Sequence, residues 1–176
     1  GKSRPPARRG ILSDRRFNVK NMSGRQKFTG EILVEKRLID RDQLAWALGE
    51  QEVTREFLGA ILLKKKWVEE RDLMLALSEH FNMPLVDLKN RYIDWEIVKH
   101  FSPSLIRDHH YFPFERDERS VTMAVTNPLD AWSLKMAEEE ARGLVLKLAL
   151  TSPADMEDAI KRYQLYIQKN VPKALE

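Results

Sequence analysis

The chain has 176 residues, of which 43% are hydrophobic and 32% charged, the balance of an ordinary globular protein. It contains no cysteine, which excludes a disulfide scaffold, a thiolate metal site and a cysteine nucleophile. No apolar run approaches the roughly 20 residues that cross a bilayer, so no transmembrane helix is expected.

The start of the chain carries most of the positive charge. Residues 1–27 hold nine basic side chains and one acid, a net charge of +8, whereas residues 28–176 have a net charge of −5. Prolines, glycines and serines accompany these charges, so residues 1–26 are predicted to form a flexible basic arm. The arm is interpreted first as a linker and second as a contact with an anionic membrane surface through residues 2–27. Nucleic acid is not expected as a partner, because Phe17 is the one aromatic side chain there.

An internal repeat follows the arm. Residues 28–51 (FTGEILVEKRLIDRDQLAWALGEQ) and 57–80 (FLGAILLKKKWVEERDLMLALSEH) align without a gap at an offset of 29. The matching pairs include Phe28/Phe57, Gly30/Gly59, Ile32/Ile61, Leu33/Leu62, Leu44/Leu73, Ala47/Ala76 and Leu48/Leu77. Agreement this dense at one offset indicates a duplicated structural unit, which has to be recognised before a fold is assigned.

Each copy is predicted to be a hairpin of two short helices. In the first copy Thr29 is the expected N-cap, and the first helix ends near Arg37. Asp40 then caps a second helix, with Gln43 completing a capping box. The buried stripe of that helix is predicted to consist of Leu44, Ala47, Leu48 and Gln51. The second copy repeats the scheme with a weaker cap at Glu69 or Glu70.

The hairpin predicts two equivalent corners. If the start of the first helix lies beside the end of the second, Gly30 is near Gln51 and Gly59 is near His80. Helix-start amides beside a glycine favour an anion, and a glutamine or histidine adds a directed hydrogen bond. Two such corners suit a symmetric ligand with two phosphates. The alternative is that both glycines only allow the hairpins to pack closely.

The paired blocks resemble the motifs of the MshE N-terminal (GspE N-terminal) domain family. That pattern opens with Arg-Leu-Gly, has leucines at the sixth, seventeenth and twenty-first places, and closes with glutamine. Gly30 and Gly59 take the glycine place and Gln51 the closing one, while the leucines are Leu33, Leu44, Leu48, Leu62, Leu73 and Leu77. Downstream, MPLVDL (83–88) and residues 101–130 also resemble the family, so that the resemblance covers residues 27–165.

This resemblance implies a non-catalytic regulatory module that binds cyclic di-GMP through the paired motifs, without a metal. Family members precede the ATPase core in type II secretion and type IV pilus assembly ATPases, and similar modules are attached to membrane glycosyltransferases. We therefore expect control of an attached or partner secretion, pilus or polysaccharide-synthesis protein, in the cytoplasm at the inner face of the bacterial inner membrane. The alternative is a protein-docking adaptor that tethers such a protein to a membrane partner without binding nucleotide.

The sequence departs from the family pattern at several places. Phe28 and Phe57 replace the opening arginines, and His80 replaces the second closing glutamine. Arg37 and Lys66 stand at the tenth place, where glycine is usual. Loss of the arginines removes a bidentate donor, and two exposed phenylalanines would suit a protein interface.

Nearby residues are expected to compensate for the lost arginines. Arg25 and Arg55 would supply charge, and the two phenylalanines would stack on a base. The candidate ligand-binding residues are Arg25, Phe28, Thr29, Gly30, Leu33, Leu44, Leu48, Gln51, Arg55, Phe57, Leu58, Gly59, Leu62, Leu73, Leu77 and His80.

The second half predicts a different kind of structure. We expect an α+β fold in which a helical repeat subdomain (27–83) precedes a small α+β subdomain (84–165) with a short, mainly antiparallel sheet, and a tail (166–176). In chain order the predicted elements are a strand at 85–88, helices at about 95–101 and 104–108, a hairpin of 111–115 and 121–125, a helix at about 132–142, a strand at 144–150 and a helix from 153 to about 164.

No catalytic or metal-binding residue is predicted. His109 and His110 follow Asp108, but adjacent side chains rarely converge on one ion. Three consecutive glutamates at 138–140 fan apart on a helix. There is no phosphate loop, G-x-S-x-G or H-E-x-x-H motif, so the chain is not expected to be an enzyme by itself. Core or interface anchoring is the expected role of the four tryptophans Trp46, Trp67, Trp95 and Trp132.

Overall fold

The structure is a computed structural model that describes the backbone of residues 22–170 and the side chains of residues 29–170. This part contains eight α-helices, three strands and a 3-10 turn at Leu88–Asn90. The elements are α1 (Met22–Glu35), α2 (Arg41–Thr54), α3 (Leu58–Lys64), α4 (Glu70–Phe81), α5 (Trp95–Val98), α6 (Pro103–Arg107), β1 (Tyr111–Arg116), β2 (Ser120–Val125), α7 (Ala131–Glu140), β3 (Val145–Leu150) and α8 (Pro153–Asn170). The predicted α+β class with a helical N-terminal part is confirmed.

Both copies of the repeat fold as helix hairpins, α1 with α2 and α3 with α4. The predicted capping box at the start of α2 is confirmed. The backbone N–H of Gln43 donates to the Asp40 carboxylate at 2.8 Å, and that of Asp40 donates to the Gln43 side chain at 2.9 Å. In the second copy α4 begins after Glu69, whose side chain makes no capping hydrogen bond. The hairpins are joined because α1 packs on α4 and α2 packs on α3.

The prediction that Thr29 caps the first helix is wrong. The first helix begins at Met22, so Thr29 and Gly30 lie in its interior and both are buried. The residues before Thr29 include Arg25 and Lys27, which favour a helix, and no proline separates them from it. The last five residues of the predicted arm (22–26) therefore belong to α1. The rest of that arm, with its linker and membrane interpretations, lies outside the described residues.

The two inter-helix turns pass through equivalent residues in the left-handed conformation. Arg37 has φ 59° and Lys66 has φ 57°, and both stand at the tenth place of their copy. In each turn the next residue donates its backbone N–H back to the first helix, from Leu38 to Leu33 at 3.0 Å and from Trp67 to Leu62 at 3.1 Å. This is the hydrogen-bond pattern that glycine usually closes, and a residue with a Cβ adopts it at a cost of about 1 kcal/mol.

Replacing Arg37 by glycine is therefore expected to raise the free energy of unfolding by about 0.5–1 kcal/mol, because glycine adopts a positive φ without the steric cost. Glu35→Gly is the matched control, since Glu35 is an exposed residue at the end of the same helix. That change is expected to lower stability by about 1 kcal/mol. Urea denaturation measures both, and a destabilised Arg37→Gly variant would contradict the assignment of strain to this turn.

The second half contains a three-stranded sheet in the order β1-β2-β3. Strands β1 and β2 form the predicted antiparallel hairpin, but β2 and β3 are parallel, so the sheet is mixed rather than mainly antiparallel. A parallel pair needs a crossover, and α7 provides it. The predicted strand at 85–88 is reduced to one bridge between Leu85 and Leu150, because the chain turns into the 3-10 turn at Leu88. The last helix continues to Asn170 and so includes the first five residues of the predicted tail, whereas 171–176 lie outside the described part.

One hydrophobic core runs through both halves. Its largest fully buried side chains from the repeat are Leu33, Leu58, Leu62, Leu73 and Leu77, and those from the second half include Leu88, Ile97, Leu105, Ile106, Tyr111, Phe112 and Met123. Of the helices between residues 22 and 170, none is long and apolar enough to span a bilayer. Helices α1 and α8 run across the predicted boundaries at residues 26 and 165, whereas the boundary at residue 83 stays a prediction.

Candidate functional site

Gly30 and Gly59 each face a leucine of their own copy. A Cβ atom on Gly30 would overlap Cδ1 of Leu44, and one on Gly59 would lie 3.1 Å from Cδ2 of Leu73. Leu44 and Leu73 hold the same place in the repeat, so the same contact is made twice. This supports the alternative from the sequence, that both glycines allow the helices to pack closely.

The predicted corners are therefore wrong, because the residues that face Gly30 and Gly59 are leucines rather than Gln51 and His80. The reason is the position of the turn. Each glycine stands seven residues before the left-handed turn residue and each leucine seven after it, so these two meet when the hairpin closes. Gln51 and His80 stand fourteen residues after the turn, about two helical turns farther along.

The glycine amides are also poorly placed to bind a phosphate. Gly30 lies inside α1, where each amide donates along the helix. Gly59 is the second residue of α3, but it is buried and the ring of Phe57 approaches it, with Cε1 3.0 Å from the position of a Cβ. Neither amide presents the open helix start that the sequence suggested.

Most of the motif leucines belong to the core. The buried candidates are Thr29, Leu33, Leu44, Leu58, Leu62, Leu73 and Leu77, each at most 6% exposed. Burial argues against their assignment as ligand-contacting residues, because side chains closed off in a core present no surface to a ligand. Leu48 differs from them in being half-buried, although it also packs against the core.

Four of the remaining candidates reach the surface. Gln51 is half-buried, and its Nε2 donates to the carbonyl of Glu56 at 3.0 Å, which closes the link between the two copies. Arg55 is exposed, with φ 61° at the end of α2. Phe57 is half-buried and packs against the core, so it is not the freely exposed ring that was expected. The side chains of Arg25 and Phe28 lie outside the described residues.

His80 is the fourth surface candidate, in the last turn of α4. It is half-buried, and its ring contacts that of Phe81 edge-on with the centroids 4.7 Å apart. Burial lowers the pKa of His80 below its usual value of 6.5. At neutral pH the imidazole is therefore uncharged, with one nitrogen that donates and one that accepts.

This lowered pKa predicts a pH effect on stability. The unfolded chain binds a proton at His80 more readily than the folded chain, so stability is lost as the pH falls from about 7 through 6.5 towards 5. His80→Gln removes the titrating group and restores the residue usual in the motif. We expect its stability to fall less than that of the wild type over this range, as measured by urea denaturation at each pH. Equal losses in both proteins would contradict the assignment.

The candidates for metal or acid–base chemistry are structural. No group of three or more histidine, aspartate or glutamate side chains in the described part could hold a metal. His109 Nδ1 is hydrogen-bonded to Ser133 Oγ at 2.7 Å, while His110 lies in a turn with φ 55°. Glu140 accepts hydrogen bonds from both the backbone N–H and the hydroxyl of Ser102, so it secures the start of α6.

Sequence comparison identifies the family. The family model described as the MshEN domain matches residues 81–168, which is half of the chain. The chain belongs to the MshEN domain family. This match begins at the end of α4, so the repeat that contains the candidate motifs precedes it. MshEN domains are regulatory or adaptor domains, and the prediction that the chain itself is not an enzyme is confirmed.

A curated relative places the MshEN domain in a longer protein. The type IV pilus assembly ATPase PilB of Myxococcus xanthus (strain DK1622) is 28% identical over 142 residues. The aligned part is 81% of this chain and 24% of PilB, so the chain spans about a quarter of that relative.

Two solved structures share the fold. The structure of MshE with cdg has a TM-score of 0.68 at 21% identity, and the match covers 77% of this chain and 97% of the chain in that structure. A structure of the N-terminal domain of XpsE has a TM-score of 0.62 at 23% identity, and the match covers 80% of this chain and 94% of the chain in that structure. Both matches extend beyond the length of the family match, so the helical repeat belongs to the shared fold.

Proposed function

We propose that this MshEN domain is a regulatory module that binds cyclic di-GMP through its two motif copies. The observation that carries the proposal is the likeness to MshE with cdg, the abbreviation of cyclic di-GMP, which extends over 97% of that chain. The duplication of the motif supports it, since a ligand with two-fold symmetry calls for two equivalent halves.

The binding surface that we propose consists of the accessible motif residues. Gln51 and His80 are the last residues of the two motif copies. They supply hydrogen bonds to guanine or phosphate. Arg55 supplies charge, and Phe57 supplies part of a stacking face. Arg25 and Phe28 are retained in the proposal on the basis of the sequence. The buried leucines and the two glycines hold the hairpins in position instead of touching the ligand.

Calorimetric titration with cyclic di-GMP tests this proposal. We expect saturable heat with the wild type at ligand concentrations up to about 100 μM, and at least a tenfold loss of affinity in the Gln51→Ala/His80→Ala double variant. Trp132→Ala is the control, because Trp132 is exposed on α7 in the other half of the molecule. The absence of heat and of any thermal shift with the wild type would reject the proposal.

Restoring a motif arginine gives a test in the opposite direction. Phe57→Arg returns a planar donor to the opening place of the second copy, directly before α3. Hydrogen bonds from a charged donor contribute about 1.5–3 kcal/mol, so cyclic di-GMP is expected to bind about ten times or more tightly. Phe57→Leu is the control for loss of the ring. Equal affinities of the two variants would show that the arginine place is not part of the binding surface.

The output that we propose is control of an attached protein. The relation to PilB favours a pilus or secretion ATPase, while a polysaccharide-synthesis glycosyltransferase stays the alternative. The neighbouring gene sequence discriminates between them: a phosphate-loop ATPase after this domain indicates a motor, and membrane helices with a glycosyltransferase before it indicate a synthase.

We also propose a location in the cytoplasm at the inner face of the bacterial inner membrane. The net charge of +8 in residues 1–27 supports it, because each basic residue near an anionic leaflet gains about 1 kcal/mol. Sedimentation with vesicles containing anionic lipid tests this. The full chain should pellet and a chain that starts at Met22, where α1 begins, should stay in the supernatant. Equal retention would reject the role of the arm.

Docking of a protein is the second candidate function. Exposed aromatic side chains favour it, since Trp132 is 69% and Tyr92 is 83% exposed, whereas such residues are usually at least half-buried. A pulldown with a cytoplasmic domain of a membrane partner would test it. Loss of the partner in Trp132→Ser, in a chain that binds no cyclic di-GMP, would favour docking over ligand sensing.

A further inference from the structure

An open cleft lies between α2 and α3, and none of the candidate ligand-binding residues from the sequence lines it. Its volume is about 320 Å³, and its lining residues are Trp46, Glu50, Thr54, Glu56, Ile61, Lys64 and Lys65. Trp46 is 40% exposed, and the ring of Trp67 meets it edge-on at 5.2 Å between centroids. The cleft thus combines one indole face with two carboxylates and two ammonium groups.

Because of the repeat, the charged residues of this cleft can be compared with equivalent residues elsewhere in the molecule. Lys36 of the first copy forms an ion pair with Glu79 of the second. The equivalent residues, at an offset of 29, are Lys65 and Glu50. They do not form that pair, because the ammonium of Lys65 lies over the Trp46 ring, 4.3 Å from its centroid. Trp46 replaces the leucine of the other copy, Leu75, and this exchange breaks the symmetry.

Glu50 is left with a carboxylate that has no side-chain partner between residues 29 and 170. Within that range no ion pair or hydrogen bond involves the carboxylate oxygens of Glu50. Its backbone carbonyl accepts a hydrogen bond from the Thr54 hydroxyl. Trp46 and Glu50 are one helical turn apart on α2 and therefore lie on the same face. Glu56 is different, because its carboxylate is paired with Lys64 at 2.5 Å.

We infer that this cleft binds the guanine base of a nucleotide. Guanine has two adjacent donors, N1–H and the N2 amine, which one carboxylate accepts as two parallel charge-assisted hydrogen bonds. The Glu50 carboxylate is the group available for them. The flat base stacks on the Trp46 indole, and base stacking on an aromatic ring exceeds an exposed cation–π contact.

The two lysines complete the recognition of a nucleotide. When the base takes the indole face, the flexible Lys65 is displaced towards the phosphate or the O6 atom, next to Lys64. Adenine lacks the paired donors. The Glu50 carboxylate would face a ring nitrogen of adenine that is itself an acceptor, so the cleft binds adenine poorly. The volume is at the small end of ligand sites, which suits one nucleoside. The base can come from a mononucleotide or from one half of a cyclic dinucleotide.

Titration of the full chain with GMP and with AMP tests the inference without resting on the proposed function. The readout is the indole N–H signals of the four tryptophans, with Trp46 assigned by Trp46→Phe. We expect GMP to shift the Trp46 signal and to bind at least ten times more tightly than AMP. In Glu50→Gln that preference should disappear, while Glu79→Gln, the same change at the equivalent place, should alter affinity less than twofold.

Three results would overturn the inference: no shift of Trp46 at GMP concentrations up to about 5 mM, equal binding of GMP and AMP, or equal effects of the two glutamine variants. Because the Glu50 carboxylate has no partner among residues 29–170, Glu50→Gln should melt at the wild-type temperature, which separates loss of binding from loss of fold. A cyclic di-GMP titration then distinguishes the sources of the base. Weaker binding in Glu50→Gln places one guanine of the dinucleotide here, and weaker binding only in Gln51→Ala/His80→Ala restricts the cleft to mononucleotides.

Discussion

Truncation of Leu62 to alanine is expected to lower the free energy of unfolding by about 3–4 kcal/mol, measured by urea denaturation. Leu62 is fully buried in α3 and belongs to the core that joins both halves. The truncation removes apolar contacts and leaves a cavity that close-packed neighbours fill only in part. Leu33→Ala, the same change at the equivalent place of the first copy, is expected to have a similar effect because Leu33 is 1% exposed.

Leu75→Ala is the control for this experiment. Leu75 lies on α4 and is 43% exposed, so its truncation is expected to cost less than about 1 kcal/mol. The comparison decides between two roles for the motif leucines. A Leu62→Ala variant that keeps its stability and loses affinity for cyclic di-GMP would return this leucine to the ligand surface. The buried position of Leu62 predicts the opposite result, in which the variant loses stability.

Features determined by a few neighbouring residues were predictable from the sequence. The capping box of Asp40 and Gln43 needs only its own four residues. The β-hairpin is similar, because Asp117 in its charged turn accepts the backbone N–H groups of Arg119 and Ser120, each at 2.8 Å. These backbone hydrogen bonds, with one from the Ser120 hydroxyl, lower the pKa of Asp117 to about 2. Short-range hydrogen bonding therefore specifies both elements.

Features that depend on register were not predictable in the same way. The sequence offers more than one start for α1: Thr29 is a good N-cap residue type, but so is Asn21, directly before the observed start at Met22. Which residue faces Gly30 depends on where the turn closes, and the left-handed residue there is Arg37 rather than glycine. The repeat did predict that whatever faces one glycine has an equivalent facing the other.

The binding residues were the least predictable part of the site. A leucine at helical spacing has the same pattern whether it faces a core or a ligand, and the burial of Leu62 decides between them only in three dimensions. The cleft at Trp46 illustrates the converse. Its signal in the sequence is a difference between the copies, Trp46 against Leu75, rather than a similarity. A search for conserved motif places passes over such a position.

Valine in place of Gly30 or Gly59 is expected to lower the free energy of unfolding by about 2–3 kcal/mol, because its branched side chain enters a space already filled. At Gly30 even a Cβ overlaps Leu44, and at Gly59 it would lie within 3.1 Å of Leu73. Gly49→Val is the matched control, since Gly49 is exposed on α2 with nothing within 4 Å of a Cβ.

The control variant is expected to gain about 0.3 kcal/mol, since valine has a somewhat better helix propensity than glycine. Opposite signs at buried and exposed helical glycines would assign Gly30 and Gly59 to packing. If instead all three variants fold with wild-type stability and only Gly30→Val and Gly59→Val lose affinity for cyclic di-GMP, the glycines contact the ligand. The hairpins would then have to open by the width of a side chain, which the duplicated leucine contact opposes.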